Sequence, residues 1–529
     1  MQRFQIIGAG LSGLSAAITL AKRGFSCNLF SLQPSERAQS VLAEGGINGA
    51  LNTMGEDDSP ALHFADTVRG GVQLADPNAV EGLTAHAPEI LRQLEALGVP
   101  FHMKNGELIL RNFGGQKKKR TAYAKSSTGK IIMSALIDEA RKYEHAGRIT
   151  RFPHHEFLRL LTEGDACTGV RIRDCYTGSM TDYYGAVLLC SGGMNGVFPG
   201  MTTGTTQNSG DVTAAVFAQG VPLGNPEMLQ YHPTTIGIAG KRCLVTEAAR
   251  GEGGRLFIER NGERWYFMEE KYPELGNLMP RDVVAREMFF VRQQPEAGGQ
   301  VYLDMTALPE DTWAHKLSDL RAELMNYLGT DPKHTPVPVH EGIHYFMGGI
   351  AVDAQHRAGR NGLYAAGECA CQYHGANRLG GNSMLGALYG GQVAAQTAAA
   401  AGADLPEPAA VNETEPYAQP ASPVLIHAVS GILLDALGIV RDAETLQAAR
   451  ERLRTLSHAR EYNAREQARL RLAEAMLLGA LERRESRGAH YRSDFPQTDE
   501  AYRKTTVVRC LQDSVSVTFE PIPQRRGGD

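Results

Sequence analysis

Four side chains in the middle and later part of the chain, His232, Thr246, His344 and Arg378, share one ability: each can donate hydrogen bonds to a carboxylate. They stand in QYHPT, VTEAARGEGG, HYFMGG and HGANRLGGN. Arg378 lies among glycine and asparagine, so little bulk blocks a bidentate approach of an anion. A small molecule with an anionic group at each end needs donors at both ends. Singly, each residue has a plainer explanation. A lone buried histidine is more often a satisfied core group than a ligand, and Glu247 with Arg250, at i and i+3, reads by itself as an ordinary ion pair.

A second chemistry sits at the N-terminus. Gly8, Gly10 and Gly13 form GxGxxG between RFQII and LSGLSAAITLAK, the spacing that aims backbone N–H groups and a helix N-terminus at a pyrophosphate. Ser31 stands at the end of the following strand, where an NAD site carries an acid, so a hydroxyl contact would have to serve and an ordinary NAD site is not expected. Gly45 and Gly46, in AEGGINGAL, let backbone amides approach a flat ring or simply shape a loop. Asp211, closing NSGD, and Glu368, closing AAGE, suit hydrogen bonding to sugar or ribityl hydroxyls, although single acids are commonly surface residues.

These residues require a scaffold. RFQIIGAG, LSGLSAAITLAKRG and FSCNLF read as strand, turn, helix and strand, a βαβ opening. VLLCSGG (187–193) and GLYAAGE (362–368) read as buried parallel strands of the same sheet. Between them, a Pro- and charge-rich stretch breaks the rhythm. The expected fold is α/β: a discontinuous Rossmann-like nucleotide-binding domain (1–225 and 346–401), an inserted α+β capping domain (226–345), a Pro- and Glu-rich linker (402–422) and a helical C-terminal domain (423–529), whose residues 443–485 carry apolar positions at helical spacing.

Composition bounds the function. The chain has 529 residues, 42% hydrophobic and 21% charged, with a net charge of −5; it describes a folded enzyme with no general attraction to nucleic acid. The eight cysteines form no CxxC pair for zinc or iron–sulfur ligation, so no metal is expected, and reduced thiols in a cytoplasmic protein are the simplest reading. MQRFQIIGAG runs straight into a strand without a secretory leader, and no apolar run is long enough to span a membrane. KKKR (117–120) reads as a solvated run or a partner contact.

The order GAGLSG, AEGGINGA, RNFGGQKKKRTAYAKSSTG, QYHPT, TEAARGEGG, PRDVVAR, HYFMGG, GLYAAGECA, HGANRLGGNSML and ESRGAHYRSDFP resembles the succinate dehydrogenase and fumarate reductase flavoprotein family, across nearly the whole chain. RNFGGQKKKRTAYA and NGALNTMGEDDSP resemble in particular its menaquinone-linked members. The resemblance implies FAD, with Ser40, Glu44, Ser383 and Met384 joining the glycines, Ser31, Asp211 and Glu368 around it. It implies succinate and fumarate as substrates, held by His232, Thr246, His344 and Arg378. It places the proton donor at Arg281, with Asp282 beside it, Glu247 and Arg250 as a relay, and Arg286 as a competing acid. Arginine's ordinary pKa, roughly 12.5 to 13.8, makes it an unusual acid. An iron–sulfur subunit and a membrane anchor are implied as partners, which would put the chain on the cytoplasmic face of the inner membrane. Gln39 stands where membrane-bound members carry the histidine that tethers the flavin, and no other histidine lies nearby, so FAD is expected without a covalent bond. The alternative is L-aspartate oxidase, of the same fold. A flavin-binding scaffold without turnover is disfavoured by the presence of every donor.

Overall fold

The computed structural model describes residues 3–125, 127–402 and 415–526. Five parallel strands form the first sheet, in the order Leu363–Ala365, Val187–Leu189, Arg3–Ile7, Ser26–Ser31 and Ile149–Pro153. Ile7 registers with Leu189 on one side and Phe30 on the other. Ile6, Leu29, Leu188 and Leu363 are fully enclosed, as parallel strands covered on both faces must be. The helix Leu11–Lys22 covers one face beside the long helix Asn382–Ala401. The strand reading of 187–193 and 362–368 thus holds, and both segments end at the same edge as the glycine-rich turn.

Inserted between them is a six-stranded sheet in the order Lys241–Leu244, Leu229–Ile238, Val337–Phe346, Val301–Asp304, Arg255–Arg260 and Glu263–Trp265. The helix Arg281–Arg292 packs across Leu229–Ile238. Its inner face, Val284, Met288 and Val291, joins Leu256, Leu303 and Trp313 in a separate apolar core, so this layer has its own reason to fold.

Three helices follow in the tail, Pro423–Ala436, Ala443–Ser457 and Ala464–Glu482. Asn463 and Glu466 close a reciprocal capping box on the last of them. The part of the linker at 403–414 lies outside the described residues. The tail is not helical throughout. Lys504–Leu511 and Ser514–Pro521 form a hairpin whose first strand pairs with Leu223–Gly224 of the main body. Alternating Ser and Val residues in the second strand supply the period of two, and Gln512 and Asp513 take φ of 47° and 68°, the handedness of tight hairpin turns. At this seam Arg483 is enclosed between Glu227 and Glu485, each at 2.8 Å.

Candidate active site

One cavity of about 260 Å³ runs from the ends of the parallel strands to the inserted sheet. At the strand ends it is lined by Gly8, Gly10, Ser31, Ser40, Glu44, Gly45 and Gly46. Gly8 has φ of +111°, and a β-carbon there would lie 2.1 Å from the Cys190 carbonyl oxygen. Gly13 lies outside the cavity and serves packing instead: its β-carbon would meet the Gly8 oxygen at 1.8 Å. The helix that follows has no side-chain cap; of its free N–H groups, Leu11 donates to Ser40 Oγ at 3.2 Å. Ser31 donates to the Gln33 carbonyl at 2.7 Å and keeps lone pairs for a ribose hydroxyl.

Farther along, Asp211, Glu368, Ser383 and Met384 line the wall. Asp211 is in an ion pair with Arg469 of the tail at 2.6 Å. Glu368 accepts from the Phe346 N–H at 3.1 Å, and burial pushes its carboxyl up to about 7. An uncapped helix N-terminus, a cradle with no room for a β-carbon and acids facing a sugar-sized space fit a dinucleotide such as FAD.

At the inserted sheet the cavity is walled by His232, Thr246, Glu247, Arg281, His344 and Arg378. Arg281, at the N-terminus of its helix, donates from Nε (3.0 Å) and Nη2 (2.5 Å) to Glu247 Oε2. Its Nη1 donates to Gln230 Oε1 at 3.1 Å, and Arg378 Nη2 reaches the same oxygen at 3.0 Å. Arg250, behind the wall, approaches Glu247 Oε1 at 3.4 Å, and the Gly114 N–H donates to that oxygen at 3.2 Å. Burial opposes the charge on Glu247, but Arg281 and Arg250 outweigh it and hold the carboxyl down at about 2. Burial, then Arg281, draws Arg378 down to about 9. The two histidine rings lie 5.1 Å apart, and burial followed by Arg281 keeps both well below the usual histidine range, hence neutral. His232 Nε2 and Arg378 Nε are buried without a protein partner.

Comparison with known proteins fixes the family. Residues 5–384 match the family described as FAD binding domain, and residues 458–526 match Fumarate reductase flavoprotein C-term. The succinate dehydrogenase flavoprotein subunit of Bacillus subtilis is 35% identical, over 97% of this chain and 95% of that protein. The chain belongs to the succinate dehydrogenase and fumarate reductase flavoproteins. The L-aspartate oxidase of Caulobacter vibrioides is 36% identical over 95% of each chain. A solved E. coli quinol fumarate reductase structure superposes with a TM-score of 0.86 at 28% identity, covering 99% of this chain and 98% of that one. The chain is accordingly a FAD-dependent oxidoreductase of this family.

Within this flavoprotein the structure departs from the sequence reading at three places. Asp282 does not line the cavity: it is half-buried next to Arg281 on the helix, desolvation pushes its carboxyl up, and Arg286 is the charge that opposes this. One residue along a helix turns the side chain by about 100°. Arg286 packs on the Tyr491 ring at 5.1 Å and does not line the cavity. The KKKR run is solvated only in part: Lys117 and Lys119 are exposed, but its last residue, Arg120, is fully enclosed and pairs with Asp58 at 2.8 Å and Asp66 at 3.0 Å. Sequence reasoning passed over Gln230, Phe113, Gly114 and Tyr345, all of which face this site or hold it. Tyr345 adjoins His344 within HYFMGG, which is the signal that would have found it; Gln230 carries no such signal.

Proposed function

We propose that the chain interconverts succinate and fumarate, with Arg281 giving a proton to the substrate in the reducing direction and taking one in the oxidising direction. The observation that carries this reading is the charge balance at the substrate wall. Arg250 and Arg281 share one carboxylate, Glu247, while Arg378 is held by neutral groups beside two neutral histidines, with Glu368 the other acid near it. Buried guanidinium charge without counter-charge is costly, and a dianion supplies what is missing.

His232, Thr246, His344 and Arg378 would bind the two carboxylates and hold the reacting carbons beside Arg281. FAD, when bound, supplies or takes up a hydride, and its place is the wall of Gly8, Gly10, Ser31, Ser40, Glu44–Gly46, Asp211, Glu368, Ser383 and Met384. In reduction one carbon gains the hydride and its neighbour gains the proton from Arg281. Glu247, ionised at rest, then takes one proton on Oε1 from the Arg250 side and, by turning about its Cγ–Cδ bond, hands that same proton to the deprotonated Arg281. Both oxygens already carry the contacts this transfer uses. Gln39 lines the cavity and accepts from the Thr205 N–H at 2.5 Å; an amide offers no nucleophile for a tether, which supports non-covalent FAD. His155 also lines the cavity, but at the far end beside Phe30.

The kinship with quinone-linked subunits supports exchange of electrons with quinone through an iron–sulfur partner chain. Among the described residues no helix is long and apolar enough to cross a membrane, so attachment to the cytoplasmic face of the inner membrane would come through an anchor subunit. L-Aspartate oxidation is the rival. Its substrate carries an ammonium, and here Glu247 is already engaged by Arg281, Arg250 and Gly114 while Phe113 occupies the adjoining wall. The test is anaerobic reoxidation of a reduced viologen by fumarate. The FAD-loaded protein should reoxidise the dye, and R281A should lower the rate at least about 100-fold, the range of a lost general acid. Flavin reduction and hydrogen peroxide release with L-aspartate, and none of this with fumarate, would give the site to the rival.

A further inference from the structure

His344 can bind a carboxylate only if the ring nitrogen facing the cavity carries the proton. A neutral imidazole has one N–H to place, so the partner of the other nitrogen decides the matter. That partner is Thr203, whose Oγ1 lies 2.7 Å from His344 Nδ1. Thr203 belongs to a loop outside the strands, yet it is held firmly. Its N–H donates to the Ile343 carbonyl at 2.9 Å, and the Ile343 N–H donates to Met201 at 2.8 Å. Next to it, Thr202 Oγ1 accepts from Asn195 Nδ2 at 2.8 Å and from the Gly204 N–H at 3.1 Å. The loop is thereby stitched along the strand that carries His344.

The type of partner matters. His232 has its Nδ1 3.1 Å from the carbonyl of Thr234 and 3.3 Å from that residue's N–H, two groups that cannot reverse their roles, and 3.4 Å from the Thr234 hydroxyl, whose proton is already given to the Val245 carbonyl at 2.9 Å. The Thr203 hydroxyl can reverse. With Nδ1 protonated, Thr203 would accept, and the bare lone pair of Nε2 would confront the substrate carboxylate. With Nε2 protonated, Thr203 donates to Nδ1, its hydroxyl proton gains an acceptor, and an N–H faces the anion. We propose that Thr203 is a positioning residue that fixes His344 as the Nε2–H tautomer, turning an uncharged ring into a hydrogen-bond donor for a substrate carboxylate. The inference rests on the dicarboxylate reading above. It explains how the site adds a donor without adding a further cation to the Arg281 and Arg378 pair.

The test uses the full-length, FAD-loaded protein with 15N-labelled histidine, as wild type, T203V and T203S, and with H344N to assign the ring signals. Long-range 1H–15N spectra report the tautomer without substrate, and the flavin absorbance change with malonate reports the affinity for a non-reacting dicarboxylate. Wild type and T203S should show His344 protonated on Nε2, and T203V should lose that pattern. The malonate Kd should rise at least about tenfold in T203V, the scale of one hydrogen bond to a charged group, and the fumarate KM should rise more than kcat falls. T203S should stay near wild type. An unchanged tautomer in T203V, or a T203S as impaired as T203V, overturns the proposal. Wild-type protein that binds no dicarboxylate while T203V still loses the Nε2–H pattern would sink the substrate reading and leave the tautomer assignment standing.

Discussion

Arg378 is only 2% exposed and, among the described residues, touches no carboxylate. What holds it is the Gln230 amide oxygen, the Leu379 carbonyl and the face of Tyr345, 4.3 Å from the guanidinium carbon. None of these neutralises it, and Arg281 nearby makes the charge harder to keep. The same oxygen of Gln230 accepts from both arginines, so one neutral side chain sets the distance between two cations proposed to act on one substrate. At the other end of the cavity stands Gln39, on which the proposal of non-covalent FAD turns. If its amide offers no bond to the flavin, acid precipitation should release all yellow colour to the supernatant, and flavin absorbance in the pellet would contradict this. At this scale His232, Thr246 and Arg378 drew notice because each residue type can donate to a carboxylate, whereas Arg281 was marked by the family resemblance alone. Gln230 and Thr203 drew none. An amide or a hydroxyl acquires a role here only through a partner 51, 148 or 141 positions away, and sequence spacing says nothing about such pairs.

The loop before the KKKR run works as a clasp between the parallel-sheet body and the inserted sheet. On the body side, Gln116 Nε2 donates to the Gly380 carbonyl at 2.8 Å, the Lys117 N–H donates to Asp66 at 3.1 Å, and buried Arg120 locks Asp58 and Asp66 together. On the other side, the Gly114 N–H donates to Glu247 and the Gly115 N–H to Leu278 at 3.2 Å. Space is the reason for glycine at 114: a β-carbon would lie 2.7 Å from Glu247 Oε1 and 2.9 Å from the Met279 carbonyl. G114A should therefore push the clasp off the relay carboxylate and lower kcat for fumarate reduction by about tenfold or more, since small misplacements of a reacting group are costly. Bound FAD, read from its absorbance, should stay unchanged because the cradle glycines are elsewhere; a G114A protein with wild-type kcat would show that the contact is idle. The elements most visible in the sequence were those with strong local signals: the glycine turn, the parallel strands, the amphipathic tail helices. The hairpin at 504–521 was hidden because its strands are stable only as an addition to Leu223–Gly224, a pairing some 280 residues distant in the chain.

For the whole molecule, burial has enclosed six histidines in their neutral form: His63, His232, His344, His356, His374 and His490. Burial is the first cause in every case. Each ring has a folded pKa below its unfolded value, so between those values the unfolded chain binds a proton that the native protein refuses. Stability therefore rises with pH through that window and is lost as pH falls below about 6.5. Two acids oppose this. Glu44 is pushed up to about 8 by burial and by Glu323, and Glu368 to about 7 by burial, so the native state holds protons there that the unfolded chain has released. Asp58, Asp282 and Glu341, also raised mainly by burial, oppose it at lower pH. The histidines outnumber these acids near pH 5.5, leaving an uptake on unfolding of about two to four protons and a slope on the order of 3 to 5 kcal/mol per pH unit. The urea midpoint of the FAD-loaded protein should fall steeply from pH 7.5 to 5.5, and calorimetry in buffers of different ionisation enthalpy should record the uptake. His356 isolates one contribution, because it donates or accepts only within the core, at the Ala365 carbonyl (2.6 Å) and the Tyr373 hydroxyl. H356Q removes that titration and leaves the substrate wall intact, so its slope should be shallower by about 1.4 kcal/mol per pH unit. A variant slope equal to the wild type would mean that His356 is already charged in the fold.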